Sequence, residues 1–347
     1  MSAAAIVARA LAAPDDPMPA SAGVDAQELI AAAIEHRVRA FLEAERTAIA
    51  VDCLRQIQTT SVLAALTGRG VRTLIFKGAA LARQWYPAPH TRPHTDTDLL
   101  VPPADLPSVE EVFARLEFER QQETSGRLVS YQRHYGKRDR HGVFHAFDVH
   151  VKISNRHALA DRVAFDELWR RRVPLPPLGP AAETVGASDA LVLALVHRAG
   201  HHPGSRDLLW IYDLHLLAAA LTPDEQTQFE DLVRARGLRL LARDGLQLAR
   251  ESFGGAAPDR FAQRLADGRG ERDEVPVIAA RSSETDLLRL DLQALATWRE
   301  RGRLVREHLF PAPSYMRGKY GVESTLLLPA LYAWRFVSGA PRWLRRR

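Results

Sequence analysis

The chain has 347 residues, with 47 Lys and Arg against 42 Asp and Glu, and 46% of its residues are apolar. That balance excludes wholesale disorder, and the net charge of +5 permits an anionic partner without requiring one. Cys53 is the single cysteine, which excludes an intrachain disulfide and a cysteine-based zinc site.

Residues 1–24 carry Pro14, Pro17, Pro19 and many alanines, and read as a loose leader. They lack the basic start and long apolar run of a signal peptide. Near the other end, the apolar stretch Leu326 to Trp334 is interrupted by Pro329 and is too short to span a bilayer. A cytoplasmic protein is expected. From 25 to 70 the pattern is helical: Leu29, Ile30, Ala33 and Ile34 form one face, and Leu54, Ile57 and Val62 continue it until Gly68 and Gly70. Cys53 falls in this pattern and is expected as a small buried side chain.

Val71 to Phe76 (VRTLIF) reads as a buried strand, and Gly78 to Trp85 as a helix opening on a glycine turn. Pro87, Pro89 and Pro93 force an extended loop before a second strand, Thr97 to Val101, which Pro102 and Pro103 stop. Ala104 to Leu116 is helical, and Phe118 to Ile153 alternates like antiparallel strands around a Gly142 turn. After the prolines of 174–180 the pattern predicts helices over 188–199, 206–221, 223–236 and 238–253, with Ser188 and Thr222 as N-caps. The Gly-rich stretch 254–275 reads as a mobile connection, and 284–308 as a further helical section. The fold class expected is α+β: a small mixed sheet flanked by N-terminal helices and a C-terminal helical domain.

Three carboxylates carry the chemistry. Asp96 and Asp98 are two apart at the start of a strand, so their side chains share a face. Asp148 opens a second alternation in which Asp148, His150 and Lys152 share a face. If the two strands pair, all three acids reach one point. Oxygen ligands at a strand end suit Mg²⁺ or Mn²⁺, which completes its shell with substrate phosphate and water. Gly78, followed by Ala79, allows phosphate oxygens close to backbone N–H groups, while Lys77 and Arg92 bring positive charge. The bland readings are a surface DxD, a tight turn and two solvated cations. Clustered carboxylates repel unless cations neutralise them, which favours the metal reading.

KGAALARQWYP, TRPHTDTDLLV and FDVHVKI together resemble the uncharacterised bacterial nucleotidyltransferase family of the polymerase-β-like superfamily. The later HRAGHHPGSRDLLWIYDLHLL resembles its following helical segment, and LFPAPSYMRGKY its usual ending, so the likeness runs from about Asp25 to Tyr332. The resemblance implies a nucleotidyltransferase core over 71–180 between N-terminal helices (25–70) and a helical domain (181–347). It implies transfer of an NMP group from an NTP such as ATP to an acceptor, with Asp96, Asp98 and Asp148 as metal and catalytic acids. Lys77, Gly78, Ala79 and Arg92 would bind the triphosphate. Many superfamily members place Ser after the glycine, where this chain has Ala79. The motifs leave the acceptor open among small molecule, protein and RNA.

Two rival readings stand beside this one. A non-catalytic binding or regulatory protein on the same scaffold fits Ala79 and the large helical remainder. A nucleotide-sugar-dependent glycosyltransferase would use the same acids to bind a diphosphate through a metal. His197 and His201 stand i, i+4 and so allow a zinc pair, although a helix C-terminus accommodates histidines without metal. A third reading has them, with His202, Arg206 and Asp213, line the cleft or hold the helical domain on the core. The tryptophans 85, 169, 210, 298 and 334 are expected in the core. Tyr131, Arg133, His134, Lys137 and Arg138 form a basic-aromatic stretch that could contact nucleic acid but reads better as an exposed antiparallel strand with a charged turn.

Overall fold

The computed structural model describes residues 39–121, 126, 128–202, 207–254, 263–265, 284–322 and 324–344. The leader, the face Leu29 to Ile34, Arg206 and most of 254–275 lie outside the described residues. In chain order the first elements are α1 (Arg39–Gly68), β1 (Leu74–Phe76), α2 (Gly78–Gln84), β2 (Asp96–Leu100), α3 (Leu106–Arg115), β3 (Glu119–Arg120), β4 (Gln132–Arg138) and β5 (Phe144–His150). Then come α4 (His157–Ala160), α5 (Phe165–Arg170), β6 (Val173–Pro174) and β7 (Glu183–Thr184). The helical part comprises α6 (Ala187–His201), α7 (Leu208–Ala220), α8 (Pro223–Ala235), α9 (Arg239–Phe253), α10 (Glu284–Ala294), α11 (Trp298–Leu309), α12 (Pro313–Tyr320) and α13 (Leu328–Leu344).

The strands form one seven-stranded mixed sheet in the order β3-β4-β5-β2-β1-β7-β6. β2 lies antiparallel to β1 and parallel to β5. The period of two along each strand sorts its residues between two cores. Ile75, Leu99, Phe147 and Val149 pack under Val62, Leu63 and Leu66 of α1 and Val109, Val112 and Phe113 of α3. Leu74, Phe76 and Leu100 face the other way, onto a core that α6 to α9 supply. Asp96 and Asp98 stand at i−4 and i−2 from Leu100, so they share its face. The acids therefore emerge at the seam between sheet and helical part.

Tight packing within the helices fixes their approach. A Cβ on Gly245 of α9 would stand 2.3 Å from Leu195 Cδ2 and 3.3 Å from Leu214 Cδ1. Gly245→Ala is therefore expected to destabilise the chain by about 1–3 kcal/mol, as overpacked cores do. A urea midpoint unchanged from wild type would contradict that close approach.

Several local expectations are corrected. α1 buries a narrow stripe, so Cys53 and Ile57, one turn apart, point outward; Ile57 is 62% exposed. Trp298 and Trp334 are exposed at 83% and 60%, because α11 and α13 show those faces to solvent. Ser188 does not cap α6: Gly186 is its N-cap, and the Ser188 hydroxyl, inside the helix, donates to Glu225 O of α8 at 2.8 Å. Thr222 does cap α8, in a reciprocal box with Glu225. The basic-aromatic stretch forms β4 of a hairpin turning at Gly142 (φ +81°), but β3 flanks it and its residues are largely half-buried. Among the described residues no helix is long and apolar enough to cross a membrane.

Candidate active site

Register brings the acids together. β2 and β5 run parallel with Asp98 directly beside Asp148, and β4 adds His134 opposite Asp148 and Gln132 opposite His150. A row crosses the sheet from Phe76 through Asp98 and Asp148 to His134. Asp98, Asp148 and His150 present ligand atoms all within 4.8 Å of one another, the arrangement among the described residues able to hold a metal ion. Asp96 shares their face at the strand entrance, opposite Ala146. All three acids line a cavity of about 700 Å³, together with Lys77, Gly78 and Arg92.

The electrostatics follow from burial and pairing. Burial alone would push the Asp98 carboxyl up, but Lys77 and His150 outweigh it and hold Asp98 well below the usual carboxylate range. Lys77 Nζ donates to Asp98 Oδ1 at 2.8 Å, and His150 Nε2 lies 2.8 Å from the same oxygen. His150 is pushed down by burial and then by the Lys77 charge. Asp148 Oδ1 lies 2.5 Å from His134 Nδ1, and His134 Nε2 lies 3.0 Å from Gln132 Nε2. A tautomer with the proton on Nδ1 satisfies both contacts: the ring donates to Asp148 and accepts from Gln132.

Asp96 behaves differently. Burial, then the charges of Asp98 and Asp148, push its pKa up to about 6 from the usual 3.8. The folded chain thus holds this proton more tightly than the unfolded one. Without metal, the group costs stability as pH rises from about 4 to 6, and the cost vanishes below the unfolded pKa. Asp96→Asn is therefore expected to stabilise the metal-free protein at pH 7 by on the order of 1–3 kcal/mol. The gain should fade by pH 4, and Mg²⁺ should stabilise the wild type more than the variant. Melting curves across pH with and without Mg²⁺ check this; a variant less stable than wild type at pH 7 would refute it.

The donor set fits a hard dication. Its ligands are carboxylate oxygens with one imidazole beside them, and the clustered negative charge that adds to burial in raising Asp96 is what a divalent cation relieves. Lys77 itself adopts φ 55° and ψ −135°, a conformation rare outside glycine. Such strain, worth about 1–3 kcal/mol, persists where surrounding contacts over-determine it. Here the Asp98 ion pair pins the side chain.

Gly78 has a steric reason. A Cβ there would stand 3.0 Å from Arg92 Nη1 and 3.3 Å from His94 Cβ. The glycine lets the Arg92 guanidinium lie against the start of α2. Arg92 is buried, and Asp213 of α7 clamps it through Nε (2.9 Å) and Nη2 (2.6 Å), leaving Nη1 as the edge nearest Gly78. Tyr86 Oη adds a bond to Asp213 Oδ1 at 2.8 Å. Asp213 thus holds the helical part on the sheet. Ala79 is 2% exposed and packs into the core beneath α1, so its side chain stays out of the cavity.

His197, His201 and His202 line the same cavity but do not converge as a metal set. Their rings stack instead: His197 on His201 with centroids 5.1 Å apart, and His202 on Trp210 at 4.7 Å. Burial, then Lys77, pushes His201 down to about 3, and burial lowers His197 and His202 as well.

No local pattern of the chain places His134, His150, Gln132 or Arg55 in this site. Arg55 of α1 donates from Nη1 to His94 O at 2.5 Å and lines the cavity near Asp96. His150 was legible as sharing the face of Asp148. His134 and Gln132 needed the register of the hairpin, and Arg55 the docking of α1.

Residues 25–254 match the family described as uncharacterised nucleotidyltransferase. The chain belongs to that family. The match covers both acid-bearing strands, the Lys77–Gly78 turn and the helices α6 to α9, and stops before LFPAPSYMRGKY. No curated protein matches the chain. In this chain the acids stand on adjacent parallel strands, where the seam with the helical part walls them in.

Proposed function

We propose that the chain is an Mg²⁺- or Mn²⁺-dependent nucleotidyltransferase that moves an NMP group from an NTP to an acceptor and releases pyrophosphate. One observation carries this reading: Asp98 and Asp148 stand side by side in register, on the face of Asp96, in a cavity that also holds Lys77 and Arg92. Asp96, Asp98 and Asp148 are the metal-holding acids. When bound, the dication polarises the α-phosphate and lowers the pKa of the attacking hydroxyl.

The chain's own residues do the rest. Lys77 and the free edge of Arg92 neutralise the triphosphate, beside the backbone at Gly78 and Ala79. Asp148 orients the acceptor oxygen and takes its proton, and the His134–Gln132 pair fixes the carboxylate's direction. The acceptor oxygen bonds to the α-phosphorus as the bond to the β-phosphate bridging oxygen breaks. Positioning and charge, rather than a covalent intermediate, supply most of the acceleration.

One feature favours the non-catalytic alternative: Lys77 and His150 already satisfy Asp98 without a metal. Calorimetry with ATP, GTP, CTP and UTP separates the two readings. Tight binding that requires Mg²⁺ is expected. The decisive experiment incubates the chain with labelled NTPs, Mg²⁺ and a cell extract, and follows label into protein, RNA or small molecules. Label in no fraction, with no metal-dependent NTP binding, overturns the proposal.

A further inference from the structure

In the cavity that holds the acids stands a wall of flat rings that the transfer chemistry does not use. His197 and His201 close α6, His202 follows as its C-cap, and Trp210 enters from the first turn of α7. His197 and His201 lie nearly parallel, at 24° between ring planes, and His202 and Trp210 at 18°. His197 also meets Trp210 edge-on at 5.1 Å. Trp210 backs His202 and has the Arg92 guanidinium within 5.8 Å of its centroid. The wall is thereby tied to the residue that would neutralise the triphosphate.

The chemistry of the wall is specific. A histidine pair used for a metal points its nitrogens at one place; these rings stack by their faces instead. Histidines used to bind phosphate are cationic, but burial and the nearby Lys77 work against the charged form of all three rings. Histidines used as structural polar groups are hydrogen-bonded; His201 Nε2 lies 3.5 Å from Ser154 Oγ, but the buried His197 Nδ1 has no partner, and the His202 ring makes no hydrogen bond among the described residues. What remains is an aromatic surface that disfavours charge, with ring nitrogens of His197 and His202 unclaimed. Such a surface suits a flat heteroaromatic ring with its own donors and acceptors.

We propose that this wall is the nucleobase seat: the base of the triphosphate stacks on His202, which Trp210 backs, and the nitrogens of His197 and His201 meet its polar edge. This assignment rests on the nucleotidyltransferase reading and adds to it where the base goes. The sheet side of the cavity binds phosphate and metal, and the helical side binds the base. Asp213, by clamping Arg92, holds the two sides in register.

The test compares a ligand that has a base with one that lacks it. Mg²⁺-ATP and Mg²⁺-tripolyphosphate are titrated calorimetrically into the wild-type chain, His202→Ala and His202→Phe. The wild type is expected to bind ATP more tightly than tripolyphosphate. His202→Ala should weaken ATP binding on the order of tenfold to a hundredfold and leave tripolyphosphate unchanged, which also shows that the variant is folded. His202→Phe, which keeps a stacking face, should restore most of the ATP affinity. Equal wild-type affinity for the two ligands, unaltered ATP binding in His202→Ala, or parallel loss of both ligands would each overturn the base seat while leaving the phosphate site standing. Binding of neither ligand to the wild type would remove the nucleotidyltransferase reading and the base seat with it.

Discussion

Asp148→Asn is expected to lower nucleotidyl transfer by roughly 10²- to 10⁴-fold, the range for losing a positioned acid or base, with little change in stability. The substitution keeps the side chain's shape and one oxygen but removes the charge that would hold the metal and take the acceptor's proton. Its partner makes the experiment clean. The His134 side chain is 33% exposed, so losing the ionised carboxylate does not strand a buried cation. Asp98→Asn is a poorer probe. Lys77 and His150 are 11% and 3% exposed at the side chain, and both depend on Asp98 Oδ1. Removing that charge leaves Lys77 uncompensated, a loss of about 3–5 kcal/mol when buried pairs are broken on one side. The Asp98 variant therefore mixes unfolding with lost chemistry. Label transfer and a urea curve measured on the same Asp148→Asn preparation check the prediction. Wild-type transfer by a folded Asp148→Asn protein would defeat the proposed role of the acid cluster.

The second large effect is expected at the clamp between sheet and helices. Arg92 and Asp213 have side-chain exposures of 2% and 3%, and their pair is bidentate. Burial works against the Arg92 charge, but the bonds to Asp213 and its charge more than restore it. Asp213→Ala leaves that guanidinium buried with no carboxylate and removes the partner of Tyr86 Oη. A loss of about 3–5 kcal/mol follows. Replacing both members, Arg92→Met with Asp213→Leu, should lose less than Asp213→Ala alone, because no buried charge is orphaned. The double variant should still lose triphosphate affinity, since it lacks the Arg92 cation. Urea midpoints for the three proteins decide the matter. An Asp213→Ala unfolding free energy within about 1 kcal/mol of wild type would show that the clamp does not hold the two parts together.

These two sites differ in how they arise from the chain. The acids belong to local patterns: TDTDLLV alternates by two and ends on apolar residues, so Asp96 and Asp98 had to share a face at the rim of a buried strand. FDVHVKI repeats the alternation, so Asp148 and His150 had to share one as well. The core helices were legible for the same reason, from periodicity and from caps such as Thr222 with Glu225. Exposure along α1, α11 and α13 was not legible. A periodic pattern says that one face is apolar, not how much of it a neighbour covers; hence Cys53, Trp298 and Trp334 lie outward.

By itself, then, the amino-acid order determined which side chains travel together: the acid pair, the Asp148–His150 pair, the Lys77–Gly78 turn and the histidines that close α6. Strand register and helix docking decided everything that joins those groups. The parallel pairing of β2 with β5 sets Asp98 beside Asp148, and no local rule fixes which strand a strand chooses. Gly78 reads from the chain as room for phosphate; that its close neighbour is Arg92, brought there by an ion pair to a residue 121 positions further on, only the fold decides. The physical reason is range. Alternation and capping act over a few residues and are written in the order of the chain, whereas burial of charge depends on which distant surfaces close over it.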